Sequence, residues 1–208
     1  MILSRAEIPW PAARDPYQHH RHIWQLFPGE PRESRQEDAQ PRQGFLFRVE
    51  DNRPGAPARV LVQSRQRPSL TGGIRLLGSR EFTPQPSAGQ HLAFLLTANP
   101  VKSIKDAQAE QKPGKKRDTC RVPLLQEDDQ RAWLARKLAD AAVIESVALL
   151  PHQPLFFRRG NRAGKLVTIS FEGVLRVQEP ALLVALLENG VGPAKAFGCG
   201  LLLVRRLG

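Results

Sequence analysis

From residue 91 onward, apolar runs and helix signals alternate in an order that few folds accommodate. A strand-like run at His91–Asn99 is followed by a long polar insertion and then by a helix from about Glu127 to Ala141, which carries acids in its first turn. Trp133, Leu134 and Leu138 supply its apolar positions. Strand-like segments at Val143–Leu150 and Lys165–Val177 come next, then a helix at about Pro180–Glu188 and a last strand at Leu201–Arg205. The order βαββαβ is that of the split βαβ, or ferredoxin-like, unit.

The first half reads as a less complete version of the same order. Met1–Ile8 is strand-like, and Asp15 before Pro16 pairs a capping side chain with a ring suited to a first helical position. That helix is predicted to run to about Phe27, where Pro28 and Gly29 stop it, with Ile23, Leu26 and Phe27 facing a core. Residues 30–43 are polar and read as a flexible connection. Phe45–Glu50 and Arg59–Ser64, joined by the turn-rich DNRPGAP, predict a hairpin. No convincing helix pattern occupies 66–73, a strand is expected at Ile74–Phe82, and Thr83–Gln90 reads as a linker. The expectation is an α+β protein of two tandem ferredoxin-like (RRM-like) domains without evident sequence repetition. Residues 1–84 form the first, with a reduced second helix, residues 85–90 link them, and residues 91–208 form the second.

With 208 residues, 41% of them apolar, the chain can bury such cores and is neither a disordered tail nor a disulfide miniprotein. Lysine and arginine number 31 against 20 acids, a net +11 that favours a polyanionic partner. The excess is larger in residues 101–208, with 18 basic and 11 acidic side chains, than in residues 1–100, with 13 and 9. Two cysteines, Cys120 and Cys199, form no CxxC and support neither a disulfide framework nor a cysteine zinc site. No apolar run approaches the roughly 20 residues needed to cross a bilayer, and MILSRAEIPW lacks a signal-peptide core. A soluble cytoplasmic protein without membrane contact is expected.

Three segments carry candidate chemistry. Asp15–His22 holds three of the five histidines and the single tyrosine. On a helix Tyr17 and His20 stand at i and i+3 and share a face. The pair suits metal-free RNA cleavage, in which a base takes the ribose 2′-hydroxyl proton and an acid protonates the departing 5′-oxygen. Histidine serves either role near neutrality, whereas tyrosine, with a pKa near 10, is better suited to donate or orient. The same spacing also fits a polar helix face with solvated histidines, or a metal pair of His19 and His22 that has no acidic third ligand nearby. The second segment is the glycine-rich run Gly190–Gly200. It is a poor Walker A loop and a poor dinucleotide fingerprint, so no nucleotide cofactor is expected. Gly192, Gly198 and Gly200 with Lys195 fit a phosphate cradle, and they fit equally a connector that lets a helix pack closely on a sheet. The third is the insertion Val101–Arg121, where Lys102, Lys105, Lys112, Lys115, Lys116, Arg117 and Arg121 face three acids and fit either a nucleic-acid backbone or a solvated loop. Arg158, Arg159, Arg162 and Lys165 form a smaller cluster of the same kind.

Taken in order, MILSRAEI, RDPYQHHRHIWQLFP, FLFRVE, VLVQS, LTANPVKS, RVPL, AWLARKL, SFEGVL and GVGPAKAFGCGLL resemble the CasE family of CRISPR-associated endoribonucleases, of the type I-E Cascade complex and the RAMP superfamily. The resemblance spans nearly the whole chain. It implies a tandem ferredoxin-like protein that cuts CRISPR precursor RNA beside each repeat hairpin, without metal or cofactor, leaving a 5′-hydroxyl and a 2′,3′-cyclic phosphate. It further implies retention of the product among the other Cascade subunits, and a monomer outside that complex. The family's Tyr-x-x-His motif falls on Tyr17 and His20, with Arg21 as a phosphate contact. The family's glycine-rich loop matches Gly190–Gly200, and its ANP-Lys stretch matches Ala98–Lys102. On helical geometry His19 points about 100° away from His20. The alternative function is a noncatalytic RNA-binding RAMP subunit.

Overall fold

The computed structural model describes residues 1–28, 44–69, 73–105, 119–159 and 162–207. In the N-terminal part, strand β1 (Ile2–Ile8) leads through a one-turn helix α1 (Trp10–Ala13) to helix α2 (Pro16–Trp24). Strands β2 (Phe45–Asp51), β3 (Ala58–Ser64) and β4 (Arg75–Glu81) follow. These strands form one antiparallel sheet in the order β2-β3-β1-β4, the ferredoxin-like arrangement in which the first and third strands are central. Period-two alternation in β3 sends Ala58, Val60 and Val62 to the core. Ala6 of β1 lies between Val60 and Leu76 in register.

Two details differ from the expectation. Helix α1 was not legible: Pro9 caps it and Pro11 occupies its first turn, where a missing N–H costs nothing. Helix α2 ends at Trp24, three residues before Phe27, but the chain continues in tight turns from Leu26 N to Ile23 O and Phe27 N to Trp24 O. Those turns still deliver Leu26 and Phe27 to the core. The polar connection predicted at 30–43 lies outside the described residues. Between β3 and β4 no helix occurs among the described residues.

The C-terminal part contains β5 (His91–Ala98), β6 (Val101–Lys105), β7 (Thr119–Pro123), α3 (Glu127–Leu138) and β8 (Ala142–Pro151). It continues with β9 (Leu155–Arg159), β10 (Arg162–Leu166), β11 (Ile169–Val177), α4 (Pro180–Asn189), a 3₁₀ turn (Lys195–Phe197) and β12 (Leu202–Arg206). Its main sheet, β12-β5-β11-β8, is again antiparallel with the ferredoxin-like order. Trp133, Leu134 and Leu138 of α3 and Leu183 and Leu187 of α4 bury against Phe94, Leu96, Phe171 and Leu175 of the sheet.

The single strand expected at Lys165–Val177 is two. Lys165 and Leu166 close the β9–β10 hairpin, and β11 starts only at Ile169. The break falls at Val167 and Thr168, both good strand formers, so composition did not mark it. The ends of the polar insertion also pair, with Ser103 opposite Arg121, as a second hairpin whose strands are too polar to alternate visibly.

The two sheets are tied together through buried groups. Gln63 of β3 donates its amide to the carbonyl of Leu187 in α4 at 2.6 Å. Leu46 of β2 packs so closely on Gly190 that a Cβ there would come within 2.9 Å of it.

Candidate active site

Helix α2 presents the Tyr-x-x-His pair because its start is fixed. The Asp15 carboxylate accepts the Tyr17 backbone N–H at 3.0 Å and Pro16 holds the first turn. Ile23 and His19 then face the N-terminal core, with His19 only 2% exposed. Its Nε2–H donates to the Ala13 carbonyl at 3.0 Å, which makes His19 the strut between α1 and α2. Burial pushes its pKa down, and the Ala13 hydrogen bond opposes that in part.

His20 sits one step round the helix, in an aromatic nest. Its imidazole stacks on Phe45 with ring centres 4.8 Å apart, and lies 5.5 Å from Trp24 and 6.4 Å from Phe47. Burial alone lowers its pKa from the ordinary 6.5, so the ring is neutral at neutral pH. His22 is half-buried, and burial, then the neighbouring Arg21 charge, lower it as well. Arg21 itself is exposed.

Tyr17 is the more open partner, 38% exposed. Its ring stacks on Phe157 of β9, with centres 6.0 Å apart and planes 10° apart, and meets Phe197 of the glycine-rich run at 6.1 Å. Both ends of the chain therefore contribute to one site, with α2 from the N-terminal part and β9 and the loop from the C-terminal part.

Two glycines of the glycine-rich run pack closely on large rings. Gly198 has φ +82°, and a Cβ on it would meet the buried ring of Phe47 at 3.2 Å. A Cβ on Gly192 would strike Trp133. The Gly198 N–H bonds to Lys195 O and the Gly200 N–H to Thr97 O, so these two donors are already engaged. Lys195 extends its ammonium to the Asn189 carbonyl at 2.6 Å, at the C-terminal end of α4.

The other predicted cations are distributed. Lys102 is exposed on β6, and Lys105 ends that strand. Lys112, Lys115, Lys116 and Arg117 lie outside the described residues. On the β9–β10 hairpin, Phe157 points to Tyr17, whereas exposed Arg158 and exposed Lys165 share the opposite face with Phe156, which is 69% exposed. Arg159 ends β9.

Sequence reasoning missed the cleft behind the helix. It has a volume of about 370 Å³ and is lined by Pro16, Arg48, Asn52, His152 and Phe197 among others. One guanidinium nitrogen of Arg48 is buried and finds no hydrogen-bond partner among the described residues. Partial burial and then the nearby Arg48 charge lower the pKa of His152, and its Nε2 meets Ser170 Oγ at 2.8 Å. The one available signal was Arg48 itself, a cation inside the apolar run FLFRVE.

Two ferredoxin-like sheets sharing one aromatic-lined tyrosine and histidine define a tandem ferredoxin-like protein. The chain belongs to the CRISPR-associated protein family, whose model matches residues 1–206. It is 39% identical over 202 residues to the CRISPR system Cascade subunit CasE of Escherichia coli K12, covering 97% of this chain and 98% of that one. Among solved structures, it matches the CRISPR-associated protein Cas6e of E. coli K-12 over 100% of both chains, with a TM-score of 0.82 and 38% identity. It also matches the CRISPR endoribonuclease Cse3 bound to a 19-nucleotide RNA, with a TM-score of 0.74 and 31% identity over 99% of this chain and 100% of that one.

Proposed function

We propose that this chain is the endoribonuclease that cuts CRISPR precursor RNA at the repeat hairpin and stays on its product as a Cascade subunit. The observation that carries the reading is the setting of His20. It is a neutral imidazole, kept so by an aromatic nest, one helical turn from Tyr17. The names of the similar proteins, a Cascade subunit and an endoribonuclease bound to RNA, agree with it.

In this mechanism neutral His20 accepts the proton of the ribose 2′-hydroxyl next to the scissile phosphate. The 2′-oxygen bonds to phosphorus, the bond from phosphorus to the 5′-oxygen breaks, and that oxygen takes up a proton. The products are a 2′,3′-cyclic phosphate and a 5′-hydroxyl. Because the nucleophile belongs to the substrate, no water is consumed. Tyr17 donates a hydrogen bond that orients the phosphate, and Arg21 contacts it. Exposed Lys102, Arg158 and Lys165 neutralise the flanking backbone, joined by Lys105, Arg159 and the insertion lysines, Lys112, Lys115 and Lys116, with Arg117. Lys195, Gly192, Gly198 and Gly200 support the strand from the loop. Outside the complex the protein is a monomer in the cytoplasm.

Incubating the protein with its repeat-hairpin RNA in excess chelator tests the reading. Site-specific cutting is expected. Tight binding without cutting would make the chain a noncatalytic RNA-binding subunit, and neither binding nor cutting would remove RNA as its substrate.

A further inference from the structure

Tyr17 stands at the start of a helix and is over one-third exposed. Two rings from the other half of the molecule pack against it. Phe157 stacks on it almost in parallel, Phe197 meets it at 50°, and Phe157 and Phe197 touch each other with centres 4.5 Å apart. Each pair lies in the distance range in which aromatic rings attract. Three separate elements, α2, β9 and the 3₁₀ turn, thus converge on one ring cluster.

Both supporting rings are accommodated by local backbone features. Opposite Phe157 in the β9–β10 register stands Gly164, and a Cβ there would lie 2.3 Å from the Phe157 ring. The absent side chain lets Phe157 fold across its neighbouring strand toward Tyr17. Phe197 ends a 3₁₀ turn bracketed by two left-handed residues, Ala194 at φ +62° and Gly198 at φ +82°. Ala194 is the sole non-glycine residue with positive φ among the described residues. Such strain persists only where the surroundings impose it, and it gathers at functional positions.

We propose that Phe157 and Phe197 are positioning residues, a two-sided clamp that sets the direction of the Tyr17 phenol, and that the glycine-rich loop serves the reaction by holding one jaw of it. The inference rests on the role given above to Tyr17. It assigns the loop a mechanical part that is independent of any phosphate contact. A clamp of this kind acts on the cleavage step and leaves RNA affinity alone.

Tyr17 is the only tyrosine in the chain, so 3-fluorotyrosine incorporation gives one ¹⁹F resonance that reports on it. Phe157→Leu, Phe197→Leu and Gly164→Ala are each expected to shift that resonance. Each should also slow single-turnover cleavage by about tenfold to a hundredfold, the scale of a small misplacement, with the dissociation constant for the hairpin RNA unchanged within about twofold. Gly164→Ala keeps both phenylalanines and so carries the test if either leucine variant is poorly folded. In a Tyr17→Phe background the same changes should cost little more. An unmoved resonance, a loss of affinity matching the loss of rate, or an undiminished rate loss in the Tyr17→Phe background would overturn the clamp. Wild-type cleavage by Tyr17→Phe alone would instead remove the role given to Tyr17, and the ¹⁹F resonance would then decide the clamp by itself.

Discussion

The imidazole of His20 lies on the ring of Phe45, centres 4.8 Å apart and planes 28° apart, as part of the burial that lowers its pKa. His20→Ala is expected to lower the single-turnover cleavage rate by about 10² to 10⁴, the usual contribution of a positioned acid or base. RNA affinity should barely change, because a neutral ring attracts phosphate weakly. Tyr17→Phe should cost less. A His20 variant that cuts at the wild-type rate would show that the proton acceptor lies elsewhere.

The pH dependence has a definite sign. Burial holds the His20 pKa below 6.5, so the proton-accepting form grows as pH rises through that lowered value. Cleavage should climb with a midpoint below 6.5 and level off by neutral pH. Phe45→Leu, which opens the nest, should move the midpoint upward. Single-turnover rates between about pH 5 and 8 check both points, and a rate that falls with rising pH across this range would assign His20 the acid role.

His19 separates structure from catalysis on the same helix. It is buried and bonded to Ala13 O, so His19→Ala should cost about 1–3 kcal/mol of stability while the folded fraction cuts normally. Since its folded pKa is lowered, the unfolded chain binds more protons below 6.5. Its stabilising contribution is therefore complete above that value and is lost as pH falls through the folded pKa. Wild-type Tm should drop on acidification, and the drop should be smaller in the variant. His22→Ala, a change on another helix face, should alter cleavage little.

Replacing Lys112, Lys115, Lys116 and Arg117 with alanine should weaken hairpin binding and flatten its dependence on salt, since fewer counterions are released. Titrations over a range of salt concentrations measure the slope directly. An unchanged slope would place the electrostatic contact on other residues, with Arg158 and Lys165 the next to test.

Much of the fold was legible because each signal was local. Asp15 before Pro16 marked the start of α2, and strand-like runs set off by turn-rich or polar stretches marked β2, β3 and β5. The helix bearing Tyr17 and His20 was placed for the same reason. What escaped depends on partners far away in sequence. The β9–β10 hairpin is defined by pairing, such as Phe157 opposite Gly164, and not by composition. The nest around His20 needs Phe45 brought from beyond the 29–43 segment, and the Tyr17 contacts come from residues 157 and 197. Spacing on one helix reports which side chains share a face; it carries no information about what that face meets.

The most direct test of the central claim is a single 2′-deoxy substitution at the cut site, with cleavage measured in excess chelator and the ends of the products identified. All-ribose RNA should be cut to a 2′,3′-cyclic phosphate and a 5′-hydroxyl, while the deoxy RNA should bind with equal affinity and stay intact. Cleavage of the deoxy substrate, or a strict requirement for magnesium with the all-ribose one, would contradict attack by the substrate's own hydroxyl.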